Sequence, residues 1–385
     1  MTRNLTLAAA LMLTAAAPAL AQDTTLKIGV LVTLSGPPAV LGEHARDGAL
    51  LAVEELGMVG GLKTEVFVVD AEGKPDVAAQ KARELVERDD VDFVVGPIFS
   101  NVLNAIAGPI TEEAFLVSPN AGPSSFAGEG CNPNLFVVSY QNDQMPTVLA
   151  EQMNKDGVGS AFILAPNYQA GKDSLNGFKT VFKGDVASEL YVPLGQLDYS
   201  AELAQIAAMQ PEAVYAFLPG GMGVNFVKQY EQAGLKTIPL LTAFTVDETT
   251  LPAEQDAAVG MLSGTNWAPD LDNAANTAFV SSFEAAYGYV PALYAAGGYD
   301  AIKLIDSAVK ATGGDLADKD ALRSALMAAD FTSVRGKFSF SANHFPVQDF
   351  YLAKAIKRED GKYATSIVET VFSNYADAYV DQCKM

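Results

Sequence analysis

Hydrophobic positions in this chain fall into two rhythms that alternate along most of its length. Short runs rich in β-branched and aliphatic residues, apolar on consecutive positions, read as strands covered on both faces. They are LKIGVLVT, EVFVVDA, DFVVGP, FLVSPN, NLFVVSY, SAFILAP, ELYVPL, AVYAFLP, IPLLTAF and GMLSGTN. Between them lie segments of helical period. In PDVAAQKARELVERD, Ala78, Ala82, Leu85 and Val86 make one stripe, while Lys81, Arg83, Glu84, Glu87 and Arg88 point away. This alternation predicts an α/β protein built of parallel, doubly wound sheets with helices on both faces. After Trp267 the pattern turns helical (NAANTAFVSSFEAAYG, YAAGGYDAIKLIDSAVKATGG, DKDALRSALMAAD), and VRGKFSFSANHFPVQDFYLAKAIKRED then reads as a bent hairpin crossing between domains.

The first 21 residues carry one charge, Arg3, then an apolar stretch too short to span a bilayer, then Ala19-Leu20-Ala21 as a small-x-small cleavage site. They read as a secretory signal peptide. About 364 residues remain, more than one core usually accommodates, so two lobes are expected. Without Arg3 the chain has 24 basic and 46 acidic residues, a formal charge of about −22. Such a field repels nucleic acid and anionic membrane surfaces, so an anionic ligand must be held by local dipoles. The only cysteines, Cys131 and Cys383, read in an exported chain as one long-range disulfide, with two free thiols as the alternative. No spacing suits a metal, and no cofactor is expected.

In doubly wound sheets ligands gather beyond the carboxyl ends of the strands, where the winding reverses. Four loops there are distinctive: SGPPAVLGEHARDG, GPIFSNVLNA, SPNAGPSSFAG and PGGMGVNF. Ser100 stands between a strand and a helix, where a hydroxyl and several unpaired N–H groups suit a carboxylate; equally, it could cap its own helix. Ala121 and Gly122 offer main chain with little side chain in the way. The strand, glycine turn and helix around Gly221 resemble a dinucleotide loop, but Phe226 stands where that fingerprint wants a small residue. The following strand ends in Ala243 and Phe244 without the acid that binds ribose. No serine-hydrolase elbow, zinc-protease helix or P-loop string is present, so the chain does not read as an enzyme.

Taken in order, LKIGVLVTLSGPPAVLGEHARDGALLAVEEL, FVVGPIFSNV, VSPNAG and YAAGGYDAIKLI resemble the type I periplasmic solute-binding proteins of the branched-chain amino acid family, over essentially the whole mature chain. The resemblance implies two Rossmann-like lobes, 22–140 plus 268–342 and 141–267 plus 343–385, joined by three crossings. It implies hinge closure on a small carboxylate, delivery to the permease subunits of an ABC transporter, a periplasmic location and a monomer. Ser100 matches the family's carboxylate-binding serine, and Ala121 and Gly122 its main-chain lining. Asn167, Tyr168, Gly221, Met222 and Phe244 are expected to close from the second lobe. Where amino-acid binders carry the acid that pairs the ligand's ammonium, this chain has Phe244, and LLTAFTV holds no acid. An unpaired ammonium in a closed cleft would cost several kcal/mol. Leu41 and Ala170 replace larger aromatics, leaving room for a ring among Phe99, Tyr168 and Phe244, unless Phe99 and Phe244 are simply core. The expected ligand is an aromatic acid of hydroxybenzoate or hydroxycinnamate type, with a branched-chain amino acid, a 2-oxo acid or a purely sensory role as alternatives. His44 and Arg46 are second-rank candidates.

Overall fold

The computed structural model describes residues 25–385; the predicted leader lies outside the described residues. Strands β1 (Thr25–Val32), β2 (Lys63–Asp70), β3 (Phe93–Val95), β4 (Phe115–Ser118) and β5 (Leu135–Val137) form a wholly parallel sheet in the order β2-β1-β3-β4-β5. Helices α1 (Ala39–Leu56), α2 (Pro75–Arg83), α3 (Ser100–Thr111) and the single turn α4 (Ser124–Ala127) connect them. The predicted stripe of the second connection, Ala78, Ala82, Leu85 and Val86, is buried, although the helix loosens to a wider turn over Glu84–Arg88.

The chain then crosses to α5 (Gln144–Lys155), β6 (Ser160–Pro166), α6 (Gln169–Val181), β7 (Asp185–Val192), α7 (Ser200–Met209), β8 (Ala213–Phe217), α8 (Gly221–Gln232), β9 (Leu240–Ala243), α9 (Leu251–Glu254) and β10 (Leu262–Thr265). Its parallel strands lie in the order β7-β6-β8-β9-β10, the same winding as the first sheet. Each predicted apolar run overlaps one of these ten strands; the inner strands are buried along nearly their whole length, while the edge strands β2 and β7 are partly exposed.

The second crossing leads to α10 (Ala274–Tyr287), α11 (Leu293–Ala311) and α12 (Lys319–Ala328). Helix α11 lies close on α1. A Cβ on Gly48 would stand 2.0 Å from the Ala295 carbonyl oxygen, and one on Gly298 would stand 2.1 Å from that of Ala45. The short strand β11 (Ser339–Phe340) precedes the third crossing. Then β12 (Pro346–Lys357) pairs antiparallel with β10 and with β13 (Tyr363–Tyr375), extending the second sheet. The hairpin's second arm therefore lies beyond the segment expected from sequence. Strand β13 is an edge with mostly half-exposed side chains, so its hydrophobic signal is weak.

The three crossings meet at one atom. The carbonyl oxygen of Ser139, between β5 and α5, accepts hydrogen bonds from Asn266 Nδ2 (2.8 Å), Arg335 Nη1 (3.2 Å) and Gln348 Nε2. Arg335 is itself buried and paired with buried Asp300 at 2.7 Å. Cys131 and Cys383 form a disulfide that ties the C-terminus to the first lobe across 252 residues of sequence.

Candidate functional site

Two sheets of the same winding each reverse direction at one place, between β1 and β3 in the first lobe and between β6 and β8 in the second. Loops leaving those strands face each other and line a small cavity between the lobes. The first lobe gives Leu41, Ile98, Phe99, Ser100, Asn120, Ala121 and Tyr294, and the first crossing gives Tyr140 and Asn142. The second lobe gives Tyr168, Ala170, Phe217, Pro219 and Phe244. No lining side chain is charged. Most of the lining is shut from solvent, Ser100 at 1 % exposure and Phe244 at 6 %.

The polar atoms divide into those the protein satisfies and those it leaves open. Ser100 is the first residue of α3, and its hydroxyl makes no bond to its own helix among the described residues. Its Oγ instead accepts from Asn142 Nδ2 at 3.1 Å, which leaves its own proton free to donate. The N–H groups of Val102 and Leu103 both turn back to the Phe99 carbonyl at 3.0 Å. Those of Ser100 and Asn101 have no preceding turn to bond and remain donors at the positive end of the helix. The N–H of Ala121 is likewise unbonded among the described residues, while its carbonyl accepts from Ser118 Oγ at 2.6 Å. Asn120 is spent on the Ile98 carbonyl (2.6 Å) and on the Tyr140 hydroxyl. Two phenols, Tyr168 and Tyr294, line the cavity with hydroxyls that bond nothing among the described residues. Burial drives both far above the usual tyrosine range, with Asp173 adding for Tyr168 and Asp247 for Tyr294, so both stay neutral donors.

The aromatic rings wrap the remaining wall. Phe217 meets Tyr168 at 6.2 Å and Phe244 at 5.4 Å between centroids, and Phe244 meets Tyr140 at 5.1 Å. Phe244 holds φ = 56°, a left-handed conformation that is costly for a bulky residue and that turns the chain at the end of β9 into the cavity.

Of the residues predicted from sequence, the cavity brings together Leu41, Phe99, Ser100, Ala121, Tyr168 and Phe244. Four others stand outside it. Gly122 is pressed against the Tyr140 carbonyl, where a Cβ would come within 1.8 Å, and its N–H is used by Asn142 Oδ1 at 3.3 Å. Asn167 is exposed and its N–H bonds the Val192 carbonyl at 2.7 Å. Gly221 and Met222 line a neighbouring inter-lobe recess with Pro37, Pro38 and Phe99 instead. His44 is buried and neutral, burial lowering its pKa to about 3, and its Nδ1 accepts from the Ala292 N–H at 3.0 Å. Arg46 pairs with Asp47 at 2.7 Å. Sequence reasoning missed Asn120, Tyr140, Asn142, Phe217 and Tyr294. The loops after β4 and β5 and the run ending β8 carried the signal for all but Tyr294, which arrives from a helix 152 residues after Asn142.

This geometry defines a class: a two-lobed α/β clamp with a sealed, uncharged chamber between the lobes and loops, not elements of chemistry, at its walls. The match to known proteins makes it specific. Residues 25–362 match the model of the periplasmic binding protein family, and the chain belongs to that family. It is a solute-binding protein of an ABC transporter. It is 35 % identical to an ABC-transporter solute-binding protein from R. palustris solved with benzoate, with a TM-score of 0.88 over 94 % of this chain and 100 % of that one. A solute-binding protein of Rhodopseudomonas palustris BisB5 in complex with 3,4-dihydroxybenzoic acid is 28 % identical, with a TM-score of 0.85 over 93 % and 99 % of the two chains. Among curated relatives, Leu/Ile/Val-binding protein homolog 6 of Brucella melitensis biotype 1 is 29 % identical over 361 residues, covering 90 % of this chain and 91 % of its own.

Proposed function

We propose that the chamber captures a small aromatic carboxylate. The observation that carries this reading is the composition of the lining: neutral donors and aromatic rings, with no acid to meet an ammonium and no cation to demand a second anion. A carboxylate fits the Ser100 hydroxyl, the open N–H groups of α3 and the Ala121 N–H, as anions fit helix N-termini with side-chain help. The ring then lies among Phe99, Tyr168, Phe217 and Phe244. That the R. palustris relative was solved with benzoate supports the same chemistry.

Closure follows from differential contact. A ligand that meets donors on the first lobe and rings on the second is fully bound only when the lobes meet, so it shifts the population toward the closed form. The bodies that move are 22–140 with 268–342 and 141–267 with 343–385, except that Asn142, just past the first crossing, is held to the first body by its two bonds with Gly122. The chain works as a monomer in the periplasm after removal of residues 1–21, and the closed form is what the permease subunits receive.

A second reading, a branched-chain amino acid, rests on Asp247. This residue lies three positions after Phe244 and is buried, and its Oδ2 bonds nothing among the described residues. Calorimetric titration decides between the two. Benzoate, 4-hydroxybenzoate or 3,4-dihydroxybenzoate is expected to bind at least a hundredfold more tightly than leucine or isoleucine. The reverse order ends the aromatic-acid reading.

A further inference from the structure

Asp173 belongs to the second lobe, on the first turns of α6, yet most of its hydrogen bonds are made with the first lobe and the adjoining crossing. Its carboxylate accepts from the Ser124 N–H at 3.1 Å and from Ser124 Oγ at 2.7 Å, both at the start of α4. It also accepts from Asn142 Nδ2 at 2.9 Å. Gln169 Nε2, at 2.8 Å, is its one partner from its own lobe among the described residues. All four partners are donors and none carries charge, so the group works as an acceptor alone. The residue is only 4 % exposed.

The chain of bonds continues into the chamber. The same Asn142 Nδ2 that donates to Asp173 donates to Ser100 Oγ at 3.1 Å. Asn142 is fixed on the first-lobe side, its Oδ1 accepting from the Gly122 N–H at 3.3 Å and its N–H donating to the Gly122 carbonyl at 2.8 Å. With both protons of the Asn142 amide committed, Ser100 Oγ is an acceptor toward Asn142, and its own proton is left to donate toward the chamber.

We propose that Asp173 is a closure latch and a positioning residue: it swaps water for Ser124 and Asn142 when the lobes meet, and through Asn142 it turns the Ser100 hydroxyl proton toward the bound carboxylate. This rests on the reading of Ser100 as a ligand donor, but the latch itself does not. In the open form the carboxylate returns to solvent with Gln169 beside it, so the second lobe does not depend on it to fold. Because the bonds form after encounter, they act on escape and not on capture.

The test is Asp173→Asn in the whole chain, read in two ways. First, spin labels on introduced cysteines, one exposed site in each lobe, report the inter-lobe distance distribution without any ligand. The variant is expected to shift it toward longer distances, and Ser124→Ala, which removes one bond from the other side, to shift it less. An unchanged distribution in both variants overturns the latch. Second, stopped-flow kinetics with benzoate are expected to show an off-rate raised about tenfold, with the on-rate within a factor of two. An unchanged off-rate overturns the positioning role. Failure of benzoate to bind the wild type would strike the aromatic-acid reading instead, and the spin-label result would still judge the latch.

Discussion

Two buried aspartates bridge segments of this molecule, and they are built differently. Asp300, wholly buried on α11, is gripped by Arg335 at 2.7 Å, by Ser333 Oγ at 2.6 Å and by the Val334 N–H at 3.1 Å, and Arg335 reaches on to the Ser139 carbonyl where the crossings meet. Asp173 has only neutral partners, most of them across the cleft. A charge that never returns to water is given a countercharge. One that is buried and released with each closure is given dipoles, which hold it well enough when dry and let it go when wet. The hinge and the latch thus use the same side chain for opposite purposes.

The largest effect that could break this contrast is at the hinge. Arg335→Ala leaves Asp300 buried without its cation, and removing one partner of a buried pair typically costs about 3 to 5 kcal/mol. Urea unfolding should show a loss of that size. A loss below about 1 kcal/mol would mean that Asp300 is no more committed than Asp173, and the distinction would fail.

A third buried carboxyl sharpens the comparison, because it has neither countercharge nor release. Glu248 accepts from the Thr365 N–H at 2.7 Å and from Thr365 Oγ1 at 2.6 Å. Burial, with the nearby Asp247 charge, pushes its pKa from 4.5 up to about 7 against those two bonds. The folded state therefore holds a proton that the unfolded chain gives up above about 4.5. Folding stability should fall as pH rises from about 4.5 to 7 and level off beyond, by on the order of 3 kcal/mol at most, since one pKa unit is about 1.4 kcal/mol. Glu248→Gln removes the titration and should flatten that part of the curve in urea midpoints taken at pH 5 and pH 8. Asp143, also pushed up to about 7 mainly by burial, will leave a residual slope of the same sign. Parallel curves for wild type and variant would show that Glu248 does not titrate in this range.

Smaller again is the effect of Ser100→Ala. Ser100 makes no capping bond, so the variant should unfold at the same urea midpoint as the wild type while binding the aromatic acid about 10- to 100-fold more weakly, the loss of a charge-assisted hydrogen bond. A lowered midpoint with unchanged affinity in calorimetry would return Ser100 to the role of a helix residue.

How much of this was visible in the sequence follows from what each feature depends on. The inner strands were legible because a strand covered on both faces must be apolar throughout, the edge strands β2 and β7 by their apolar ends alone, and the shared winding placed the ligand loops before any contact was known. Ser100, Ala121 and Phe244 were legible for the same reason: each ends or follows a strand at the cleft. Gly122 and Asn167 were expected in the cleft because they neighbour such residues, but a one-residue step along a loop reverses the direction of the main chain, and both point to partners of their own. Asp173 carried no signal. One acid among 46 has meaning only when closure brings Ser124 and Asn142 to it, from 49 and 31 residues away. Asp247 follows directly on the acid-free run LLTAFTV, and only its burial beside the cleft distinguishes it from the exposed acids.

The smallest predicted effect resolves the most about the ligand. The Tyr294 hydroxyl lines the chamber without a partner among the described residues, and the ring around it is 1 % exposed. Tyr294→Phe removes that hydroxyl and nothing else, at an expected loss of about 0.5 to 1.5 kcal/mol in binding if it donates to the ligand. The pattern across ligands tells where the donation goes. If the hydroxyl meets the carboxylate, benzoate and 4-hydroxybenzoate weaken together. If it meets a ring substituent, 4-hydroxybenzoate weakens while benzoate is unchanged, and the chamber then selects hydroxylated rings. Equal affinities for both ligands in wild type and variant would reduce Tyr294 to packing, leaving Tyr168 as the open phenol that can serve a ligand.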